Sequence, residues 1–102
     1  MVRKMLLDCG ISPACKGFAY LEDAIPMRAE NRSAKLVNGI LAEVARKNGT
    51  SVNCVERSMR SAIISALDKH GTEGFINTLG QGPSLSGTYT LGNFLSLCAM
   101  RI

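Results

Sequence analysis

Apolar residues recur at helical spacing along nearly the whole chain, and this periodicity constrains the fold more than any other feature. Valine and isoleucine are present, but they never alternate with polar residues over enough positions to form a strand. Arg3 to Cys9 predicts a first short helix, and Phe18, Leu21 and Ile25 form one face of a second. Short helices capped by Thr72 and Thr90 are predicted near the C-terminus. The fold class is therefore all-α, with about six short helices.

Several residues predict where these helices begin and end. Pro26 is expected to stop or kink the second helix, because proline lacks a donor and clashes one turn back. The polar residues 27–33 predict a connector, and Ser33 is expected to cap the helix that follows. Asn38-Gly39 is a turn signal inside that next helix, so the pattern leaves open one helix or two. Gly80 to Tyr89 is rich in glycine and serine and predicts a loop.

A chain of 102 residues predicts one domain, residues 1–102. No apolar run approaches the roughly 20 residues that a membrane span needs, and Asp8 interrupts the apolar stretch near the N-terminus. We therefore expect a soluble, cytoplasmic protein that does not bind membranes.

The positive charge of the chain is concentrated in one third of its length. Residues 28–60 contain seven basic and three acidic side chains, a local net charge of +4, whereas the remainder has five of each. A local basic excess attracts polyanions, of which nucleic acid is the commonest. The alternative is a solvated face that binds nothing.

The cysteines and the single histidine do not predict a metal or catalytic site. No pair has C-x-x-C spacing, and His70 is not spaced to complete a tetrahedral zinc site. Cys9 and Cys98 fall on apolar helical faces and are expected to be buried, reduced thiols. His70 precedes Gly71 at a predicted helix end, where a cation suits the helix dipole. We expect no cofactor, no metal and no enzymatic activity.

The stretch from Ile40 to Ile63 has the pattern of a helix-turn-helix. This motif needs a small residue where the helices cross, a residue tolerant of unusual backbone angles in the turn, and an apolar anchor on the second helix. Ala45, Gly49 and Val55 occupy these three positions. The second helix is predicted from Val52 to about residue 69.

The two faces of that second helix differ in character. Its apolar stripe comprises Val55, Met59, Ala62, Ile63 and Ala66. The opposite face carries four side chains suited to base edges, namely Asn53, Glu56, Arg57 and Arg60. They cluster in the first turns, the part of a recognition helix that enters the major groove. The alternative is a solvated face with a Glu56–Arg60 ion pair.

Backbone phosphates are expected to contact residues around the start of the same helix, where free N–H groups attract anions. The predicted phosphate contacts are Arg46, Lys47, Thr50, Ser51 and Ser61. Arg28, Arg32 and Lys35 could reach a neighbouring phosphate, but ordinary surface charge is the favoured interpretation for these three.

Two segments resemble a known family. They are residues 10–14 with 16–21 and 24–25 (GISPA, KGFAYL and AI), and residues 55–57 with 59–60 and 62–63 (VER, MR and AI). Together they resemble the C-terminal DNA-binding effector domain of sporulation response regulators of the stage zero A type. The resemblance covers roughly residues 5–98. It implies about six helices and sequence-specific binding to short boxes upstream of promoters, with Arg57 the foremost base-reading residue.

The chain also departs from the pattern of that family. The family usually has arginine at Cys54 and histidine at Ser61, and losing a cation at Cys54 should weaken binding or change the box. The segment 82–89 carries no lysine, although the family tends to have basic residues there. Pro26 and a shorter connector are expected to alter the second helix. No receiver domain is expected within these 102 residues, so the chain is either an excised effector domain or a stand-alone relative, and only the stand-alone relative could not be switched by its own phosphorylation.

Two classes of function remain open from the sequence. In the first, the chain regulates transcription, and its predicted partners are double-stranded DNA, a second copy on tandem sites, and RNA polymerase. In the second, the chain keeps the fold, pairs with a full-length regulator and does not itself bind DNA. The basic excess of residues 28–60 and the polar face of the second helix favour the first, which is our prediction, whereas Cys54, the lack of lysines in the loop and the missing receiver domain motivate the second.

Overall fold

The computed structural model describes residues 2–82 and 90–102 and confirms the all-α class. Its elements are α1 Val2–Asp8, α2 Lys16–Glu30, a π-helical segment Leu36–Leu41, α3 Ala42–Asn48, α4 Val52–His70, α5 Glu73–Leu79 and α6 Leu91–Ala99. The described residues contain no β-strand. The predicted loop from Gly80 lies outside the described residues from position 83 to position 89.

Local signals set the ends of several helices as predicted. The Ser51 hydroxyl accepts a hydrogen bond from the Cys54 amide at 3.1 Å, and Thr90 Oγ1 accepts one from the Asn93 amide at 3.3 Å. These bonds satisfy backbone donors that have no partner within α4 and α6. Thr72 was also predicted to cap, and this was wrong, because its side chain forms no cap hydrogen bond at the start of α5.

Pro26 does not stop α2, contrary to the sequence prediction. The helix continues four residues beyond it, to Glu30. Pro26 lies on the exposed side of the helix, whereas the neighbouring Ala24 and Ile25 are fully buried. Because Pro26 has no N–H group, the carbonyl of the preceding turn lacks its helical hydrogen-bond donor, but this carbonyl lies on the side that water can reach. Burial of the opposite face stabilises the helix across the proline.

The connector between α2 and the next helix is shorter than residues 27–33, because the first four of these belong to α2. Ser33 does not cap the following helix, and its amide instead donates to the Asn31 side chain at 3.1 Å. At Asn38-Gly39, which predicted a turn, the chain neither breaks nor forms a regular α-helix. The segment Leu36–Leu41 is wound as a π-helix and runs directly into α3.

The core is formed by apolar faces of all six α-helices around the central helix α2. This helix packs most extensively against α4 and α6. Every predicted apolar residue of α4 is buried, as are Phe18, Leu21 and Ile25 of α2. No polar or charged residue in the described part of the chain is buried. The exposed face of α4 is therefore fixed by the burial of its opposite face.

Two isoleucines near the C-terminus lie at the surface rather than in the core. Ile76 of α5 is 44% exposed and Ile102, beyond the end of α6, is 43% exposed. Cys9 and Cys98 are buried, unpaired thiols as predicted, and His70 is the last residue of α4. No helix in the described ranges is long and apolar enough to cross a membrane.

Candidate nucleic-acid interface

The predicted helix-turn-helix is formed by α3, a three-residue turn and α4. Gly49 follows α3 with φ +64°, a left-handed conformation that glycine adopts without a Cβ penalty. The Thr50 amide then donates to the Ala45 carbonyl at 3.0 Å, which closes the end of α3. Ala45 and Val55 are both buried between the two helices and neighbouring core residues. The three residues selected from spacing therefore occupy the positions that the motif requires.

The four predicted base-reading side chains lie together on the exposed face of α4. Asn53, Arg57 and Arg60 are exposed, and Glu56 is half-buried. A shallow depression of about 330 Å³ is lined by Asn53, Glu56, Arg57, Arg60, Ser61 and Ile64. Neither Arg57 nor Arg60 turns inward or is covered by α6, so both guanidinium groups are accessible from solvent.

The two arginines of this face differ in their partners. Arg60 donates to the Glu56 carboxylate at 3.2 Å, one turn earlier on the same helix. Arg57 forms no ion pair with any other residue that the structure describes. Arg57 thus presents an uncompensated guanidinium, whereas Arg60 is oriented by its neighbour.

The predicted phosphate contacts have more internal partners than the sequence indicated. Arg46 forms an ion pair with Glu43, and Lys47 donates to Asp23 of α2 at 3.0 Å. The Ser51 hydroxyl is exposed but already accepts the cap hydrogen bond of α4. Both cations are therefore charge-compensated in the unbound protein.

The three basic residues before α3 have separate roles. Arg28 is half-buried, and its guanidinium donates to the carbonyls of Arg32 at 3.0 Å and Ala34 at 2.9 Å. Arg28 thus fixes the connector after α2, so its interpretation as ordinary surface charge was wrong. Arg32 and Lys35 are exposed, in agreement with that interpretation.

Cys54 lies in the first turn of α4, half-buried beside the predicted base-reading face. A hydrogen bond with the Thr50 hydroxyl is the main cause that lowers the pKa of the Cys54 thiol. Ser58 and the nearby cations Lys16 and Arg57 lower this pKa further, against a partial opposing effect of burial. The surroundings of Cys54 are therefore polar and cationic.

A groove of about 1140 Å³ extends the cationic surface beyond the predicted residues. Lys16, Lys69 and His70 line it together with Arg57 and Ser61. Lys16, Lys69 and His70 all lie outside residues 28–60, in the part of the chain whose formal net charge is zero with the histidine neutral. The signal that could have revealed Lys16 is its neighbour Gly17, because a glycine in an apolar face permits close approach of another helix.

No group of three or more histidine, cysteine, aspartate or glutamate side chains in the described ranges is arranged to hold a metal ion.

The fold and the exposed face of α4 define an all-α helix-turn-helix domain. Residues 2–102 match the family described as the sporulation initiation factor Spo0A C terminal. The chain belongs to this family, which is known as a DNA-binding effector domain and is regulatory rather than enzymatic. The resemblance found from two short segments is thereby confirmed over nearly the whole chain. A comparison with curated proteins finds no match.

Proposed function

We propose that the chain binds double-stranded DNA sequence-specifically, with the N-terminal half of α4 in the major groove, and that it regulates transcription. The supporting observation is that one exposed depression brings Asn53, Glu56, Arg57 and Arg60 together, opposite a fully buried apolar face. A helix fixed in this way presents the same side chains in the same register to every duplex.

The four side chains have distinct roles in this proposal. Arg57 donates a bidentate pair to guanine, and Asn53 pairs with adenine. Arg60, held by Glu56 at 3.2 Å, reads a second base within the same half-turn of DNA. Glu56 orients that guanidinium and accepts from a cytosine amino group.

Phosphate contacts fix the position of α4 on the duplex. Thr50 and Ser51 lie at the start of α4, where the free N–H groups of the first turn and the helix dipole attract an anion, and the Thr50 amide itself is bonded to the Ala45 carbonyl. Arg46, Lys47 and Ser61 flank this point on either side. Lys16 joins this set, because it lines the same groove as Arg57 and Ser61. These contacts supply affinity but carry no sequence information.

Pairing of two copies on tandem sites and contact with RNA polymerase complete the proposal. Both follow from the family and not from a contact within this chain.

Selection from a random duplex library with the purified chain tests sequence specificity directly. We expect one enriched motif. A titration with the selected duplex should show affinity that falls with salt, with a log–log slope of about −0.9 for each phosphate neutralised. A flat salt response would contradict the proposal.

Substitution of Arg57 tests the orientation of α4 on DNA. Arg57→Ala should cost about 1–3 kcal/mol of binding free energy and relax specificity at one base pair. Arg32→Ala is the matched control, because Arg32 is exposed in the connector and outside the motif. Equal losses for the two variants would show that α4 does not read bases.

The second candidate function is a module that pairs with a full-length regulator without binding DNA. It is favoured by the compensation of Arg46, Lys47 and Arg60 by carboxylates, which reduces the attraction for phosphate. Failure to enrich any motif, together with capture of a full-length family member from purified components, would support this function instead.

A further inference from the structure

We propose that Glu43 and Asp23 determine specificity by competing with DNA phosphates for Arg46 and Lys47, so that binding to non-cognate DNA is suppressed. This inference rests on the proposed function and adds a regulatory role for two acidic residues outside α4.

The first of the two pairs lies on the surface of α3. Glu43 and Arg46 are one turn apart, and their side chains are 48% and 73% exposed. Arg46 Nε also donates to the second carboxylate oxygen at 3.3 Å, so the guanidinium is held in a two-point contact. In agreement with this geometry, the hydrogen bond to Arg46 lowers the pKa of Glu43.

The second pair connects α3 to the central helix α2. Asp23 accepts from Lys47 at 3.0 Å through one oxygen and from the Asn48 side chain at 3.1 Å through the other. The Asp23 side chain is only 22% exposed, whereas that of Lys47 is 59% exposed. The carboxylate therefore has a fixed position, and the ammonium group that it holds remains accessible to a phosphate.

The two carboxylates act differently on cognate and non-cognate DNA. Contacts to phosphate supply almost all of the non-specific binding of a protein to DNA. On non-cognate DNA the protein slides, and no phosphate has a fixed position next to Arg46 or Lys47. A carboxylate already within hydrogen-bond distance then retains the cation. On the cognate duplex the base contacts of α4 hold the phosphates in register, and exchange of carboxylate for phosphate follows.

A titration with two duplexes tests this inference. One duplex carries the motif enriched by the wild-type chain, and the other carries the same bases in scrambled order. The test variants are Glu43→Gln and Asp23→Asn, and the control is Glu22→Gln. All three remove one negative charge, but Glu22→Gln releases Arg3 of α1, the ion-pair partner of Glu22 at 3.1 Å, and not a predicted phosphate contact. Affinities are measured between about 0.05 and 0.3 M salt, where phosphate contacts dominate the response.

We expect each test variant to bind the scrambled duplex about eightfold more tightly than the wild-type chain does at 0.1 M salt. The log–log salt slope should be steeper by about 0.9, which is the effect of one more neutralised phosphate. The gain on the selected duplex should be smaller, so the ratio of the two affinities falls. Glu22→Gln should change neither ratio nor slope. Thermal melting checks that Asp23→Asn is folded, and the exposed Glu43 provides an independent variant.

The possible results separate this inference from the proposed function. If the wild-type chain binds neither duplex, the proposed function and this inference both fail. If the wild-type chain distinguishes the duplexes but both test variants behave like Glu22→Gln, only this inference is overturned. Equal gains on both duplexes would also overturn it, because they would reflect added charge without a change in specificity.

Discussion

Gly17 in the first turn of α2 lies so close to Ser58 of α4 that a Cβ built on it would overlap the Ser58 carbonyl oxygen and lie 2.8 Å from Ala62 Cβ. The backbones of the two helices therefore approach directly at this point. The contact places Lys16 beside the start of α4 and fixes α4 against the central helix. Gly17 is thus required by packing and not by backbone angles, because its φ is not positive.

Gly17→Ala should destabilise the fold by about 1–3 kcal/mol, because the methyl group meets backbone that cannot move without separating two helices. Gly92→Ala is the matched control. Gly92 is the second residue of α6, its Cβ would meet only the Leu36 side chain at 3.6 Å, and alanine is favoured over glycine within a helix by at most about 0.5–1 kcal/mol. Urea unfolding should therefore show opposite signs for the two substitutions. Equal effects would refute the close contact.

The helix-turn-helix could be predicted from the sequence because its signals are local. Gly49 and Ser51 set the turn and the start of α4 through backbone conformation and a hydrogen bond three residues away. The two faces of α4 follow from the helical period alone. The positions of the predicted site residues could thus be derived without knowledge of the remaining helices.

What the sequence did not predict depends on contacts between distant elements. Pro26 is tolerated because the buried face of α2 outweighs one missing hydrogen bond, and this burial is a tertiary property. The partners of Arg28 and Lys47 are set by how the connector and α2 lie in space. Side chains that contact each other across 24 residues, as Lys47 and Asp23 do, leave no periodic signal.

Ser51→Ala should lower the free energy of unfolding by about 1 kcal/mol, because the Cys54 amide loses its hydrogen-bond acceptor. Thr72→Ala provides the control, since Thr72 occupies the equivalent position before α5 but its side chain forms no cap hydrogen bond. Chemical denaturation of both variants checks this prediction. A Thr72→Ala loss as large as that of Ser51→Ala would show that the cap at Ser51 contributes nothing specific.

The buried thiols predict a loss of stability at alkaline pH. Burial raises the pKa of Cys9 to about 11 and raises that of Cys98 as well. Below the pKa of the unfolded thiol, near 8.5, both states are protonated and stability is unaffected. Above it, the unfolded chain releases protons that the folded chain keeps, so the free energy of unfolding falls with rising pH.

The size of this alkaline effect approaches about 1.4 kcal/mol per pH unit for each thiol. Urea unfolding under reducing conditions at pH 7, 9 and 10 measures it. Cys9→Ala should be less stable than the wild type at pH 7, because it leaves a cavity, but should lose less stability between pH 9 and pH 10. An unchanged alkaline slope in this variant would contradict the burial of the Cys9 thiol.

Cys54→Arg should strengthen DNA binding, because the position lies in the first turn of α4 beside Lys16 and Arg57, where a phosphate is attracted. One additional phosphate contact is expected to steepen the log–log salt slope by about 0.9 and raise affinity about eightfold at 0.1 M salt. Cys54→Gln, which is long but uncharged, should leave the slope unchanged. A new motif selected by Cys54→Arg would assign the added arginine to a base edge, whereas an unchanged motif and slope would mean that position 54 does not contact DNA.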